Sequence, residues 1–485
     1  MKKHMFPAVL VVYIIYALFY INSSSVTVDG EKYFVLIDDA MISMQFAKNF
    51  SGGNGLVWSH GEKVEGFTNP LWTAYMILPH LLKIPLNMTS LFIQLSALFL
   101  MAGTLVLVKR ISLVLTGRED ISLAAVLLTA FFTPLNFWFY QGMEVSLLTF
   151  LVSLVIYMVI VGKNDRLIFV LCGIATLVRI DMALFFLIIL AVRRKNIREG
   201  LLIFLAFISF QTILRYAYFG EFFPNTYFLK LYKWDLHERI FKGTVTLVKN
   251  LYYMNWLIFI LPLLLIRRGR VYLFLLTVPA VQMAYSIYVG GDAWEAMGGT
   301  NRYVTIAMPV FFVLLAAAVF EVSETIIKDR RYSVFAAAAL TLVCIVNLNC
   351  LHGTRSLKNM TGPVDELPFT KSRLEQALFV RDNAGNNDRI GVFAAGIIPY
   401  FSEKKYFADF LGKNDKHIAR LPVIKSRSMF ELILHLPGHM KYDNEYIISN
   451  YNPKFIVVPD DNAKKMNFVT SKYTNTAHPD IFVLK

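Results

Sequence analysis

Long apolar runs decide most of what this chain can become. An α-helix needs about 18 or more apolar residues to cross the hydrocarbon of a bilayer. Apolar blocks, most of them at or above that length, recur at roughly 5–22, 88–108, 121–139, 143–162, 166–178, 181–192, 199–217, 251–266, 271–289, 303–322 and 332–352. The 485 residues are 56% hydrophobic, with a mean hydropathy of +0.52, far above a soluble domain. The expected fold is an α-helical polytopic membrane protein of about 11 transmembrane helices. The block at 70–82 is shorter and broken by Pro79, so it reads as a helix lying on the outer surface.

The net charge is +14, but the basic residues sit at the ends of apolar blocks, where charge sets topology, and no nucleic-acid partner is expected. With the N-terminus inside, every strongly basic short loop falls on one side. These loops carry Lys2 and Lys3; Lys109, Arg110 and Arg118; Lys163 and Arg166; Arg193, Arg194, Lys195 and Arg198; Arg267, Arg268 and Arg270; and Lys328, Arg330 and Arg331. Counting 70–82 as a span would break that agreement. The first block lacks a small-x-small cleavage site and reads as an uncleaved helix rather than a signal peptide. Blocks 166–178 and 181–192 are each too short to cross alone and read as a hairpin that turns near the outer leaflet. Cys172, Cys344 and Cys350 lie in or beside apolar blocks and suggest neither a disulfide framework nor a zinc site.

Two domains follow. Residues 1–352 form a transmembrane module with outer loops 23–87 and 218–250, and residues 353–485 form a soluble extracytoplasmic α/β domain. In the latter, "RIGVFAAGIIPYF" and "PKFIVVPD" read as buried strands and "KSRLEQALFVRDNA" as an amphipathic helix.

This topology gathers the unusual polar residues at the outer face. Asp38 and Asp39 follow the first helix; Glu62, Glu65, Asn69 and Trp72 come next; Glu144 lies between two helices. Arg179 and Asp181 mark the hairpin turn, Glu221, Asn225 and Lys230 follow "YFGEFFPNTYFLK", and Asp292, Glu295, Asn301 and Arg302 lie in "GGDAWEAMGGTNR". Polar groups at a membrane boundary lose hydration and need partners, so five loops converging on one rim suggest a shared site. Neighbouring carboxylates can raise one another's pKa and supply a base; they could also chelate a divalent cation, Mg or Mn, through oxygen. Arg179, Lys230 and Arg302 suit a phosphate at the bilayer boundary. Apolar grooves between short helices suit a lipid tail. A lipid-phosphate sugar donor attacked by an acceptor hydroxyl would use all three features. In the tail, "FLGKNDKHIAR", with His417, and "LPGHMKYD" are candidates for seating the acceptor.

The stretch "DDAMISMQFAKNFSGGNGLVWSHGEKVEGFTNPLW" resembles the first outer loop of the GT-C superfamily of polytopic glycosyltransferases, nearest the branch that includes the mycobacterial terminal arabinofuranosyltransferases. The resemblance continues through "QGMEVSLLTF", "LVRIDMALFF", "YFGEFFPNTYFLK", "GGDAWEAMGGTNRYV" and the two tail motifs. The chain departs from the branch where Gln45 replaces an arginine, where Asp181 replaces a glutamate, and where Arg302 is displaced relative to its glycines. The resemblance implies inverting transfer from a polyprenyl-phosphate sugar to a cell-envelope glycan or glycolipid, on the outer face of the bacterial inner membrane. It implies that Asp38 or Asp39 is the base. A transporter or flippase of lipid-linked sugars is the alternative, and would more often carry its charges on broken helices at the midplane.

Overall fold

The computed structural model describes residues 5–297, 301–349, 367–459 and 461–485. The apolar blocks fall on helices wherever they are described. These are α1 (Met5–Ser23), the hairpin β1–β2 (Val26–Val28, Glu31–Tyr33), α2 (Asp38–Ser51), α3 (Pro70–Tyr75), α4 (Ile77–Leu81), α5 (Thr89–Thr116), α6 (Glu119–Ala130), α7 (Thr133–Tyr140) and α8 (Val145–Ile160). They continue as α9 (Asp165–Val178), α10 (Ala183–Val192), α11 (Ile197–Phe219), α12 (Asn225–Lys230), α13 (Leu236–Tyr253), α14 (Trp256–Ile260), α15 (Arg270–Tyr288), α16 (Arg302–Thr305), α17 (Met308–Ile326) and α18 (Arg330–Asn349). Glycine ends α5 and α11: Gly117 and Gly220 take the left-handed conformation that closes a helix and that a side chain would strain.

Among the described residues, six helices are long and apolar enough to cross a membrane, or eight if each of two bent pairs counts as one span. The expected eleven crossings therefore resolve into fewer full-length ones. The block at 121–139 bends by 54° between α6 and α7, and α8 and α10 are shorter than a bilayer requires. The turn in the 166–192 pair is as expected. Asp165, at the start of α9, meets Arg193 at 3.3 Å and Asn196 at 2.6 Å, so the two helices run out and back with Arg179 at the tip. The block 70–82 forms the short helices α3 and α4.

The outer loop expected at 218–250 is instead largely helical. α13 has a strongly two-faced sequence, and it packs across the end of α15, where Gly243 lies against the Ile287 backbone. Its far end reaches α18 through Asn255 and Asn347, at 3.4 Å. It therefore lies along the rim of the bundle, and the chain then turns by 103° into residues 256–268.

The C-terminal domain opens with α19 (Leu367–Asn383). The strands β3 (Arg389–Val392), β4 (Tyr406–Asp409), β5 (Phe455–Val457), β6 (Tyr473–Asn475) and β7 (Ile481–Leu484) form one sheet in the order β4-β3-β5-β7-β6. β4, β3 and β5 are parallel; β7 and β6 are added antiparallel. Of "RIGVFAAGIIPYF" only the start is strand, and the remainder turns into the short helix α20 (Ile397–Ser402). The domain is seated on the segment between α2 and α3. The indole of Trp58 donates to the Ala395 carbonyl at 2.7 Å, and the Phe407 amide donates to Ser59 at 3.1 Å. Trp58, Phe67, Ile390, Val392 and Phe407 share one buried apolar cluster.

Candidate active site

α2 begins at the acidic pair. Both carboxylates sit in its first turn, where free amides and the helix dipole favour negative charge. The C-terminal domain closes over them from above. Asp38 is 7% exposed, and its Oδ1 accepts the amides of Gly396 (3.1 Å) and Ile397 (2.9 Å) at the start of α20. Its Oδ2 makes no hydrogen bond among the described residues. Gly396 is required here, because a Cβ would collide with the Asp38 carbonyl. Burial raises the Asp38 carboxyl above its ordinary pKa, with Lys413 opposing.

Asp39 has a different environment. Its Oδ1 accepts Lys413 Nζ at 2.8 Å; its Oδ2 accepts Arg302 Nη2 and the Trp294 indole, each at 3.2 Å. Burial pushes this carboxyl up, but Lys413, Arg302 and Lys230 together hold it well below the usual range. The same pairing, with Asp38, raises Lys413 against the burial that would lower it.

Two cavities meet at this point. The first, about 50 Å³, is lined by Lys230, Arg302, Lys413, Asp39, Asn69 and His439. The second, about 240 Å³, lies under the C-terminal domain and is lined by Asp38, Asp39, Trp294, Arg373, Lys413 and His439. Asp39, Ala293, Lys413 and His439 form the shared wall, whereas Asp38 faces the second cavity alone and Lys230 and Arg302 the first alone.

The cations of the first cavity differ in commitment. Arg302 is held from behind by Asp292, through Nε at 2.8 Å and Nη2 at 3.0 Å. Lys230 has no hydrogen bond or ion pair among the described residues, and burial lowers its pKa to about 8. An unpaired ammonium beside an oriented guanidinium is a site for an anion such as phosphate.

Several expected site residues act one layer further out. Arg179 does not reach the cavity. It is 5% exposed and committed to Glu144 (2.7 Å) and Asp181 (2.8 Å), so the expectation that it holds a phosphate gives way to a structural pin. Glu144 also accepts Asn69 Nδ2 at 2.7 Å, and Asn69 Oδ1 accepts Ser43 and Thr73, which ties α2, α3, α8 and the hairpin tip together. Asp292 aims Arg302 rather than contacting the cavity. Glu65 is paired with Arg215, and its backbone carbonyl accepts the Asn225 amide at 3.1 Å. Asn225 Nδ2 reaches three carbonyls, of Gly412 (2.9 Å), Lys413 (3.0 Å) and Asp415 (3.1 Å), and so positions the loop that carries Lys413. His417 is a surface residue paired with Asp443 at 3.3 Å and stacked on Tyr446, away from both cavities. Lys413 and His439 lie within the tail motifs, where sequence alone does not distinguish them from their neighbours. Burial, with Lys413 beside it, lowers His439 to about 4, so it is neutral at physiological pH, and its Nδ1 has no hydrogen-bond partner among the described residues.

The donor set does not suit a divalent cation. Both Asp39 oxygens are occupied by cationic or N–H donors, one Asp38 oxygen is occupied by amides, and three side-chain cations crowd the same space. Among the described residues no three His, Cys, Asp or Glu side chains converge on a metal position.

Residues 366–482 match the model of a family described as a domain of unknown function, DUF8728. No curated protein sequence matches the chain significantly. Solved structures do. ArnT from Cupriavidus metallidurans bound to undecaprenyl phosphate aligns over 99% of this chain and 97% of its own, at TM-score 0.58 and 10% identity. The Archaeoglobus fulgidus oligosaccharyltransferase, tethered to an acceptor peptide containing the NVT sequon, aligns over 94% of this chain and 69% of its own, at TM-score 0.52 and 10% identity. The mycobacterial arabinofuranosyltransferase AftD aligns over 84% of this chain and 32% of its own, at TM-score 0.46 and 13% identity. The first two likenesses establish the GT-C fold across nearly the whole chain, as the sequence motifs imply.

Proposed function

We propose that this GT-C-fold chain is a membrane glycosyltransferase that moves a sugar from a polyprenyl-phosphate donor to a cell-envelope glycan or glycolipid acceptor, with inversion, at the outer face of the inner membrane. The observation that carries the reading is the pair of abutting cavities. One offers an uncommitted Lys230 beside Arg302; the other offers an uncommitted carboxylate oxygen of Asp38. A phosphate bound in the first sets the anomeric carbon near the shared wall. An acceptor hydroxyl in the second then lies beside Asp38, which takes its proton as the glycosidic bond forms.

The two aspartates divide the work. A general base serves best when its pKa approaches the working pH, and burial moves Asp38 in that direction. Asp39, held low by its cations, instead fixes Lys413 and Arg302 in place. That Cupriavidus ArnT binds undecaprenyl phosphate supports a lipid-phosphate donor. The transporter reading is disfavoured because the polar groups gather at one rim beneath a folded domain. The test is to incubate purified protein with a panel of polyprenyl-phosphate sugars and to measure donor hydrolysis and transfer. Turnover of at least one donor, lost in Asp38→Asn, is expected; a protein inert to every donor, yet moving lipid-linked sugars between leaflets of a vesicle, would overturn the reading.

A further inference from the structure

The segment Ile424–Met440 leaves the C-terminal domain and returns to it, closed at its base where the Ile424 amide donates to the Met440 carbonyl at 3.1 Å. Its tip is a single helical stretch, Met429–Leu434, with Ser428 as N-cap accepting the Glu431 amide at 3.2 Å. Leu432 is buried on one side of this stretch. The other side is unusually apolar for a soluble surface, with Phe430 73% exposed and Leu434 61% exposed, four residues apart on one face. Met429 is also exposed, and Lys425 and Arg427 flank the tip.

The position of the tip identifies what would cover it. It packs against α13, the helix that lies along the rim of the spanning bundle. α13 itself exposes Ile240, Phe241, Val248 and Tyr252. The apolar tip therefore continues the lipid-facing surface of the bundle, and its basic flanks suit phosphate headgroups. A helix with this pattern seats about 5–10 Å into the headgroup–acyl boundary.

The base of the same segment reaches the site. Leu436 and His439 line the second cavity, and Pro437, Gly438 and His439 line the first. Gly438, at φ +86°, lies against the Lys230 stem, where an added Cβ would sit 3.3 Å from Cε. Just beyond the loop, Lys441 is fully buried and donates to the carbonyls of Phe228 (2.7 Å), Tyr232 (2.7 Å) and Ala419 (2.9 Å), which fastens the loop to α12.

We propose that Ile424–Met440 is a membrane-docked flap. Its tip is buried in the bilayer beside α13, and its base carries Gly438 and His439 onto the cavity that holds Lys230. The partner is the lipid surface at the face of the membrane where the site lies. The docking does not depend on the glycosyltransferase reading, and its test reads no activity.

The test uses the full-length chain in nanodiscs of phosphatidylcholine, in a background with Cys172, Cys344 and Cys350 replaced by alanine. An environment-sensitive nitrobenzoxadiazole label is attached in Phe430→Cys, in Leu434→Cys and, as a control at an exposed position beside the edge strand β6, in Ser471→Cys. All three positions are exposed, so the substitutions leave the packing intact, and each variant is checked for monodispersity. Labels at 430 and 434 are expected to shift to the blue and to be quenched by lipid carrying a shallow spin label more than by lipid carrying a deep one. The label at 471 should do neither. Unquenched labels at both 430 and 434 would overturn the proposal, as would equal quenching at all three positions, which would mean that the domain lies on lipid without a dedicated flap.

Discussion

Asp38→Asn separates chemistry from structure at the centre of the site. Asp38 Oδ1 accepts two amides from the C-terminal domain, at 3.1 and 2.9 Å, while Oδ2 has no hydrogen-bond partner among the described residues. An asparagine keeps a carbonyl oxygen for both amides and puts its NH₂ where Oδ2 was, so the docking of the domain survives. What is lost is the basic oxygen. General-base catalysis is worth about 100- to 10,000-fold in rate, or roughly 2.7–5.5 kcal/mol of barrier. The expected result is normal insertion, normal donor affinity and transfer reduced by that factor, measured with a polyprenyl-phosphate sugar that the parent turns over. Burial raises the Asp38 pKa, so the base is inactivated by protonation as the pH falls through a value above the ordinary carboxylate range. The acid limb of the parental pH–rate profile should lie there, and it should vanish in the variant. Asp38→Ala makes a useful contrast. It strands two buried amides at about 1–3 kcal/mol each, so it should also loosen the domain, seen as a lower melting temperature. Parental turnover by Asp38→Asn would refute the assignment of the base.

Lys230→Ala removes an ammonium that pairs with nothing among the described residues, so it should leave the melting temperature unchanged while weakening donor binding by about 1.5–3 kcal/mol in a direct binding assay. Arg179→Met should do the reverse: stranding the buried Glu144 carboxylate costs about 3–5 kcal/mol of stability, read by thermal unfolding, with donor affinity of the folded protein retained. Asn225→Ala frees the loop bearing Lys413 and should lower transfer roughly tenfold, about 1.4 kcal/mol of barrier, more than it lowers donor affinity. Reporter fusions at Lys195, Arg268 and the C-terminus should report the first two inside and the last outside; a cytoplasmic C-terminus would overturn the arrangement of the site.

Periodicity and charge made the bundle legible, because the bilayer imposes a length on helices and a sign on loops. The hairpin turn at Arg179 was readable for the same reason, since neither half is long enough to cross alone. α13 was not, because an in-plane helix carries as many polar as apolar residues and resembles a loop when only hydropathy is considered. Within the site, sequence could nominate charged residues at the rim but could not rank them. Arg179 and Lys230 look equally suited to phosphate on paper. Only the fold reveals that two carboxylates, Glu144 and Asp181, neutralise the first and that none of the described residues pairs with the second. His417 stands out in the sequence as a candidate for seating the acceptor, yet Lys413, four residues earlier in the same motif, lines both cavities. Which of them points inward is decided by the three carbonyls that Asn225 gathers, a contact between residues nearly two hundred positions apart.

The arrangement of charge also accounts for the direction of the proposed reaction. Before transfer, the donor phosphodiester carries one negative charge and Asp38 carries another. As the acceptor hydroxyl attacks, its proton neutralises Asp38, and the departing polyprenyl phosphate gains a second negative charge. The net charge of the site is unchanged, but one unit of negative charge moves from the second cavity to the first. Lys230 and Arg302 line only the first cavity, and Asp38 lines only the second. The cations are therefore stationed where charge develops rather than where it begins, so they stabilise the transition state more than the bound donor. Asp292 keeps Arg302 aimed at that position before any donor arrives, and the guanidinium need not reorganise during the reaction. Asp39, between the cavities and held low by Lys413 and Arg302, stays ionised throughout and keeps those two cations from collapsing onto Asp38, where they would stabilise the ionised base and blunt its pull on the proton.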